Sequence, residues 1–296
     1  MKNTFLILFF FSPLFYNFYS QEKEKDSLNF KLISLEEINV TSTRAVKEQP
    51  FSFSNIDKSN LESRNLGQDL PILLNFLPSV VTTSDAGAGI GYTGIRVRGS
   101  DATRVNVTIN GIPYNDSESQ GTFWVNLPDF SSSVQNIQLQ RGVGTSSNGS
   151  SAFGASLNIL TDGISKEKFL DISNSFGSFS TLKNTVKFST GAINENFQIS
   201  GRFSKIISDG YIERASSDLR SYFLQTSFSK KNTLFKALLF GGHEITYQSW
   251  YGVDPETLKI NRRYNFAGEI YDENGKFQEF YDNQVDNYKQ DHLQFH

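Results

Sequence analysis

Hydrophobic and polar residues alternate with a period of two over much of the chain after Gly163. Such alternation predicts extended strands that have one apolar face and one polar face. In the segment 196–207, Phe197, Ile199 and Phe203 share one face, whereas small or polar residues occupy the other. The pattern predicts six strands, at residues 169–176, 181–190, 196–207, 219–229, 233–241 and 287–296.

Two architectures explain this alternation. Outer-membrane barrels place apolar side chains toward lipid and polar ones toward the lumen, but a soluble β-sandwich gives a similar pattern. The connections favour the barrel, because short turns at 177–178 and 230–232 alternate with long loops at 208–218 and 242–286. Six strands are too few to enclose a domain, since barrels with a plugged lumen have about 22 strands. We therefore expect residues 164–296 to be the first strands of a transmembrane β-barrel that is incomplete in this chain.

The preceding segment, residues 51–163, has a mixed pattern that predicts an α+β domain. Apolar residues at helical spacing predict one amphipathic helix between Asn65 and Pro78; they are Leu66, Leu70, Leu73, Leu74 and Leu77. Period-two alternation then predicts strands at 95–98, 105–109, 137–140 and 157–160. Asn110-Gly111 predicts a tight turn, and Pro128-Asp129 can open a short helix.

The N-terminus has the three parts of a secretory signal peptide. Lys2 precedes an apolar run over residues 5–15, and a charged stretch begins at Gln21. The run is too short for a spanning helix, which needs about 20 apolar residues. We therefore expect residues 1–20 to be a signal peptide. Residues 21–50 have few apolar side chains and are expected to form a flexible segment.

Composition excludes several classes of function. The chain has 28 Lys and Arg against 31 Asp and Glu, whereas nucleic-acid-binding modules carry a clear basic excess. It contains no cysteine, so it has neither disulfides nor thiolate metal sites. The segment 89–94 matches the dinucleotide fingerprint G-x-G-x-x-G, but it runs into a predicted strand instead of a helix. The histidines lack metal-site spacing and no catalytic constellation is visible, so we predict neither an enzyme nor a cofactor.

Several ordered motifs carry a family resemblance. After the signal peptide, the chain contains Glu-Glu-Ile-Asn-Val-Thr at 36–41, Gly-Ile-Arg-Val-Arg-Gly at 94–99, Val-Thr-Ile-Asn-Gly-Ile-Pro at 107–113, Ile-Gln-Leu-Gln-Arg-Gly-Val-Gly at 137–144 and Gly-Ala-Ser-Leu-Asn-Ile at 154–159. This order resembles that of TonB-dependent outer-membrane receptors, closely through about residue 163 and more loosely beyond it. Residues 123–129, Phe-Trp-Val-Asn-Leu-Pro-Asp, look most like receptors for ferric citrate and other iron chelates.

The resemblance implies a plug domain at 51–163 and a TonB box formed by Glu36, Glu37, Ile38, Asn39, Val40 and Thr41. An extended segment of this kind can add as a strand to the sheet edge of a partner, although an ordinary first plug strand is the alternative. In relatives, the motifs that contain Arg98 and Arg141 lie between plug and barrel wall. Solvated strand arginines are the alternative for these two residues.

The resemblance further implies an exported protein of the outer membrane. Its function would be uptake of a scarce ligand, an iron chelate such as a siderophore or ferric citrate, driven by a TonB-type energy-transducing protein. A surface-binding protein or adhesin anchored by a barrel is the alternative. We expect the ligand to contact the loop 84–92, through Tyr92, and the segment from Tyr114 to Trp124, because binding groups concentrate on loops held by a scaffold. Packing inside the plug is the alternative for Phe123 and Trp124.

Overall fold

The computed structural model describes residues 43–144, 148, 152–231 and 233–296, so the predicted signal peptide and the predicted TonB box lie outside the described residues. The helices and strands are β1 (Ser52–Asp57), α1 (Lys58–Glu62), α2 (Leu70–Leu73), β2 (Val80–Ser84), β3 (Thr93–Val97), β4 (Val105–Ile109), β5 (Ile112–Pro113), β6 (Val134–Arg141), β7 (Ala155–Thr161), β8 (Lys168–Gly177), β9 (Thr181–Thr190), β10 (Phe197–Ser208), β11 (Ser217–Lys230), β12 (Thr233–Tyr247), α3 (Pro255–Ile260), β13 (Glu269–Tyr271), β14 (Phe277–Phe280) and β15 (Val285–Phe295). Short 3-10 helices lie at Ala102–Arg104, Trp124–Asn126 and Phe130–Ser133. The architecture is thus an α+β domain followed by antiparallel strands, as predicted.

The α+β domain is built on a five-stranded sheet with the order β1-β6-β7-β4-β5. Its neighbours are antiparallel except for β4 and β7, which run parallel. Alternating apolar side chains such as Ile137, Leu157 and Ile109 are fully buried and form the centre of its core. The turn predicted at Asn110-Gly111 connects β4 to β5, and both residues have the positive φ that this tight turn requires, 51° and 81°.

The helix predicted between residues 65 and 78 is much shorter in the structure. Only Leu70–Leu73 is helical. Pro71 explains this difference, because proline fits the first turn of a helix but removes a backbone hydrogen bond further inside. Leu74 and Leu77 are buried as predicted, in turns that follow the helix, whereas Leu66 is 60% exposed. Strand β1 and helix α1 were not predicted, since their sequence has no clear period.

The second part of the chain forms one antiparallel sheet of six long strands, in the order β15-β12-β11-β10-β9-β8. Each predicted strand is present, with ends that differ from the prediction by up to six residues. We call this the long sheet. Its inward face, which carries mostly small and polar side chains together with a few apolar ones such as Phe223 and Phe240, packs against the α+β domain. Among the described residues, no helix has the length and apolar character needed to cross a membrane.

The two ends of the long sheet differ in their connections. At one end, which we call the long-loop end, the strands are joined by 178–180, 209–216 and 248–284, and the last of these contains α3 and the β13–β14 hairpin. At the other, the short-turn end, the connections are 191–196 and 231–232. The domain loop 85–92 reaches the long-loop end, where Tyr211 donates a backbone hydrogen bond of 2.8 Å to the carbonyl of Ala86.

Candidate functional site

A buried carboxylate joins the α+β domain to the long sheet. Asp129 immediately precedes a 3-10 helix of the domain, and its side chain is 0% exposed. Its Oδ1 lies 2.8 Å from Nζ of Lys183 on β9, and its Oδ2 lies 3.4 Å from Nη1 of Arg202 on β10. Both cations are buried as well. We call Asp129, Lys183 and Arg202 the Asp129 cluster.

Hydrogen bonds complete the surroundings of this carboxylate. Four side chains donate to its two oxygens at 2.6–2.9 Å, namely Asn65, Ser132, Thr185 and Ser204. Burial alone would raise the pKa of Asp129, but Arg202 and Lys183 outweigh that effect and hold the pKa well below its usual range. The carboxylate is therefore ionised at neutral pH, and it belongs to a network whose members come from both parts of the chain.

Apolar contacts and a close backbone approach surround the Asp129 cluster. The Phe130 ring lies 5.4 Å from the Phe240 ring and 6.0 Å from the Phe223 ring, both on the inward face of the long sheet. At Gly242 on β12, a Cβ atom would lie only 2.4 Å from the carbonyl oxygen of Asn126. Glycine at this position therefore lets the backbone of the domain pack directly on the strand.

A cavity of about 430 Å³ opens between the α+β domain and the part of the sheet near the long-loop end. Its walls carry four carboxylate side chains, those of Asp116, Glu118, Glu244 and Asp286. Three tyrosines also line it, namely Tyr92, Tyr114 and Tyr288. The arrangement of aromatic area with a few convergent polar groups is typical of small-molecule binding sites.

Two of these tyrosines connect the domain to the sheet. The Tyr92 hydroxyl lies 3.2 Å from Oε1 of Glu244, and the Tyr114 hydroxyl lies 3.4 Å from Oε1 of Gln290. Burial raises the pKa of both tyrosines, with further contributions from Glu244 and Asp286 at Tyr92. Both phenols are therefore neutral hydrogen-bond donors. Asn126 adds an acceptor to the cavity wall, since its buried Oδ1 has no hydrogen-bond partner among the described residues.

The outward face of the long sheet is apolar over several rungs. One rung pairs Leu224 with Leu239 and Leu239 with Leu293, and Leu239 and Leu293 are 40% and 61% exposed. Nearer the short-turn end, another rung pairs three phenylalanines, Phe197, Phe228 and Phe235. An exposed apolar band bordered by aromatic residues is the surface that membrane β-strands present to lipid.

Comparison with known proteins assigns residues 45–156 to the TonB-dependent Receptor Plug Domain. The chain carries a TonB-dependent receptor plug domain. The α+β domain is therefore called the plug below, and the strands of the long sheet are called the barrel strands. No curated protein sequence matches the chain significantly.

Several solved structures with a similar fold are receptors for ferric compounds. The ferripyoverdine receptor of Pseudomonas aeruginosa matches with a TM-score of 0.61 and 13% identity over 86% of this chain and 32% of its own. The ferric catecholate import receptor Fiu of E. coli K12 matches with a TM-score of 0.56 and 15% identity over 69% of this chain and 29% of its own. The ferric yersiniabactin uptake receptor of Yersinia pestis has a TM-score of 0.54 and 15% identity, over 69% and 33% of the two chains. The chain thus spans about a third of the length of these receptors.

The structure brings together some of the predicted site residues. Tyr92 and Tyr114 line the cavity, as described above. Trp124, which we expected to face the ligand, is only 2% exposed and packs in the core shared by the plug and the barrel strands. The prediction for Trp124 is therefore wrong, and the alternative, aromatic packing, describes it. Neighbouring Phe123 is 44% exposed and lines the cavity instead.

Arg98 and Arg141 make their described contacts within the plug. Arg141 donates from Nε to the Pro78 carbonyl at 3.0 Å and from Nη2 to the Ser54 hydroxyl at 2.7 Å. Arg98 lies beside it and donates to the Arg141 carbonyl at 3.5 Å. Within the described residues, the Asp129 cluster makes a plug-to-barrel contact, and the contact with the barrel wall expected for Arg98 and Arg141 stays a prediction.

Sequence reasoning missed the Asp129 cluster because its members lie up to 73 positions apart in the chain and meet only after folding. One signal was available. Lys183 and Arg202 are cations on strand faces that carry mostly small or polar side chains. A buried cation requires a partner. Among the described residues, no group of three or more His, Asp or Glu side chains is placed to hold a metal ion.

Proposed function

We propose that this protein takes up an iron chelate, a siderophore or ferric citrate, through the outer membrane, and that a TonB-type partner supplies the energy. The observation that carries the proposal is the position of the plug. It packs by a buried ionic network and a shared apolar core on the polar face of strands whose opposite face is apolar. A domain that occupies the inner side of membrane strands obstructs a pore and must move before a ligand can pass.

The ligand in this proposal binds in the cavity at the long-loop end. This end carries the plug loop 85–92 together with the longest connection of the barrel strands, 248–284. Loops held by a rigid scaffold are the usual place for binding groups. Tyr92 and Tyr114 provide neutral hydroxyl donors, and Phe123 provides apolar contact area. Such groups can contact the organic part of a metal chelate without removing the metal from it.

Energy must arrive from the opposite side, because the outer membrane carries no usable potential of its own. The segment 36–41 lies just before the first described residues and has the alternating pattern of an added strand. In the proposal, the partner binds this segment by main-chain hydrogen bonds and pulls on it. The iron chelates named for the similar solved receptors support this choice of substrate class.

The test is uptake of radioactive iron chelates by cells that express the protein with or without a TonB-type partner. Ile38→Pro or Val40→Pro should abolish uptake and leave chelate binding unchanged, because proline removes a backbone donor needed for strand addition. Ser27→Pro, in the preceding polar segment, is the matched control. Uptake at the wild-type rate in both variants would contradict the assignment of the TonB box.

Two further results separate the alternatives. Partner-independent binding of cells or surfaces, without any uptake, would favour the adhesin. Tyr114→Ala and Tyr92→Ala should each weaken chelate binding in the purified protein, because they remove contact area from the cavity wall. Unchanged affinity in both variants would place the ligand elsewhere and leave the uptake proposal standing.

A further inference from the structure

The cavity between the plug and the barrel strands is lined by charges of one sign. Four carboxylate side chains line it, and among the described residues no Lys, Arg or His side chain does so. Asp116 and Glu118 belong to the plug, whereas Glu244 lies on β12 and Asp286 on β15. Acidic side chains therefore face the cavity from both the plug and the barrel strands.

Two of these carboxylates converge on one phenol. The Tyr92 hydroxyl lies 3.2 Å from Oε1 of Glu244, and Asp286 lies near the same hydroxyl. A phenol has a single proton to donate and brings no positive charge. Because neighbouring carboxylates repel each other, a positive group placed beside them would be stabilised by both.

On the plug side, a turn holds Asp116 in place. Its Oδ1 accepts hydrogen bonds from the backbone N–H of Ser119 at 2.7 Å and from that of Glu118 at 3.1 Å. These hydrogen bonds hold the pKa of Asp116 below its usual range, so its carboxylate is ionised at neutral pH. The Glu118 side chain is exposed on the same turn.

Unsatisfied oxygen atoms in the cavity wall give an independent indication of a ligand. Asn126 is only 7% exposed, and its Oδ1 has no hydrogen-bond partner among the described residues. Oγ1 of Thr122, in the same wall, is also buried without a partner there. A buried polar atom without a partner costs stability, which a ligand that bonds to it would recover. Because an amide oxygen only accepts, the group missing at Asn126 is a hydrogen-bond donor.

A protonated amine fits these features together. An ammonium group has three N–H donors and no acceptor, and it supplies the positive charge that the cavity wall lacks. The aromatic rings of Tyr114, Tyr288 and Phe123 also line the cavity and can attract a cation to their faces. A bare metal ion fits less well, because among the described residues no three acidic or histidine side chains are grouped as metal ligands.

We propose that the cavity selects iron chelates that carry a protonated amine and rejects anionic chelates such as ferric citrate. The inference rests on the proposed function, because that function places an iron chelate in this cavity. The carboxylates of an anionic chelate would face Asp116 and Asp286 without a cation between them, and such a meeting of like charges opposes binding. An ammonium group, in contrast, forms charge-assisted hydrogen bonds with carboxylate oxygens.

The experiment compares chelates of different charge by isothermal titration calorimetry on the purified, detergent-solubilised protein. Ferrioxamine B is the cationic probe, because its iron centre is neutral and its amine is protonated. The same chelate with its amine acetylated is the neutral probe, and ferric citrate is the anionic probe. The test variant is E118Q/D286N. The matched control is E167Q/E195Q, which removes two exposed carboxylates near the short-turn end.

We expect the wild type to bind the cationic probe about tenfold more tightly than the neutral one, because a hydrogen bond to a charged group contributes about tenfold or more in affinity. Exposed ion pairs contribute up to about fivefold each, so the test variant should keep a preference of only about twofold. The control variant should keep the full preference. Ferric citrate should bind the wild type more weakly than either form of ferrioxamine B.

Equal affinity of the wild type for the cationic and neutral probes, or equal losses of preference in the two variants, would overturn the proposal. Tighter binding of ferric citrate, or no binding of either form of ferrioxamine B, would overturn it as well. Uptake of the three chelates by cells is measured separately. Uptake of all three at the same rate would refute the selectivity and leave the proposed function standing. Charge-selective binding without uptake of any chelate would refute the proposed function and leave the selectivity of the cavity in place.

Discussion

Replacing Asp129 with Asn should loosen the plug from the barrel strands more than any other single change of a charge there. The substitution keeps the shape of the side chain and removes its negative charge. Asp129 has a φ of 53°, and asparagine adopts this left-handed conformation as readily as aspartate. The backbone therefore gains no strain, and the effect measured is that of the charge alone.

The magnitude follows from the burial of the partners. In the variant, Lys183 and Arg202 keep their positive charges with side chains that are only 4% and 1% exposed. Removing one partner of a buried ion pair costs about 3–5 kcal/mol, because the remaining charge has neither water nor a counterion. The donors Thr185 and Ser204 can still bond an amide, so the loss of hydrogen bonds adds little. We expect the free energy that holds the folded plug on the strands to fall by about 4 kcal/mol.

Trp124 provides a direct assay of this contact. It is one of two tryptophans in the chain, and its side chain is 2% exposed within the core that the plug and the barrel strands share. In a Trp250→Phe background, its fluorescence during urea denaturation in detergent micelles reports release of the plug. With a urea dependence of about 2 kcal/mol per molar, the midpoint should fall by about 2 M.

Asp162→Asn is the matched control, since Asp162 pairs with Lys58 and Lys187 at 2.7 Å and 3.5 Å but is 22% exposed. Its loss should cost less than about 1 kcal/mol. A second variant, D129N/K183M/R202M, removes all three charges and should recover much of the lost stability. Equal midpoints for Asp129→Asn and Asp162→Asn would refute the reasoning, because the buried charges would then be hydrated or displaced at little cost.

Two further predictions concern the same interface. Gly242→Ala should lower the same urea midpoint, because the added Cβ would lie 2.4 Å from the Asn126 carbonyl oxygen. Gly252→Ala is the control and should leave the midpoint unchanged, because no atom lies within 4 Å of a Cβ there. Equal midpoints for the two variants would show that the plug and strand backbones can separate freely. Burial raises the pKa of Asp69 well above its usual value, with a further contribution from Glu244. Protonation of Asp69 therefore favours the native state. The stability of the native state falls as the pH rises from about 3.9, the unfolded pKa, through the folded pKa. Asp69→Asn should therefore be more stable than the wild type above neutral pH and lose that advantage in acid, and urea midpoints with the same pH dependence in both proteins would contradict the prediction.

The parts of this fold that sequence could predict are those governed by local periodicity. The barrel strands were predicted well because each side chain faces either the apolar outward side or the plug, and that choice repeats every two residues. The turn at Asn110-Gly111 was predicted because few other dipeptides adopt its two positive φ angles. The prediction of one helix over 65–78 was wrong for most of its length, because one residue, Pro71, outweighed the spacing of five leucines.

The contacts between the two parts of the chain could not be predicted in the same way. Asp129 and Arg202 pair across two elements whose relative position depends on the packing of whole sheets. The position of Trp124 could not be predicted either, since the sequence around an aromatic residue follows the same pattern whether its side chain faces a ligand or a hydrophobic core. What the sequence does contain is a charged side chain on a strand face that carries mostly small or polar residues. Such a residue indicates that a partner exists without saying where it lies.

The described contacts also give a route by which a pull on the N-terminal segment would reach the Asp129 cluster. The backbone of Ala45, a few residues after the predicted TonB box, is bonded at both its N–H and its carbonyl to the Gln138 side chain on β6, at 2.7 Å and 3.0 Å. Strand β6 begins at Val134, directly after the 3-10 helix that Asp129 precedes. Force applied before Ala45 would therefore act at Gln138 on β6, the strand that follows Asp129 and its 3-10 helix in the chain. The hydrogen bonds of this carboxylate need donor–acceptor distances below about 3.2 Å, so a displacement of β6 that moved Asp129 by more than about 1 Å would break them.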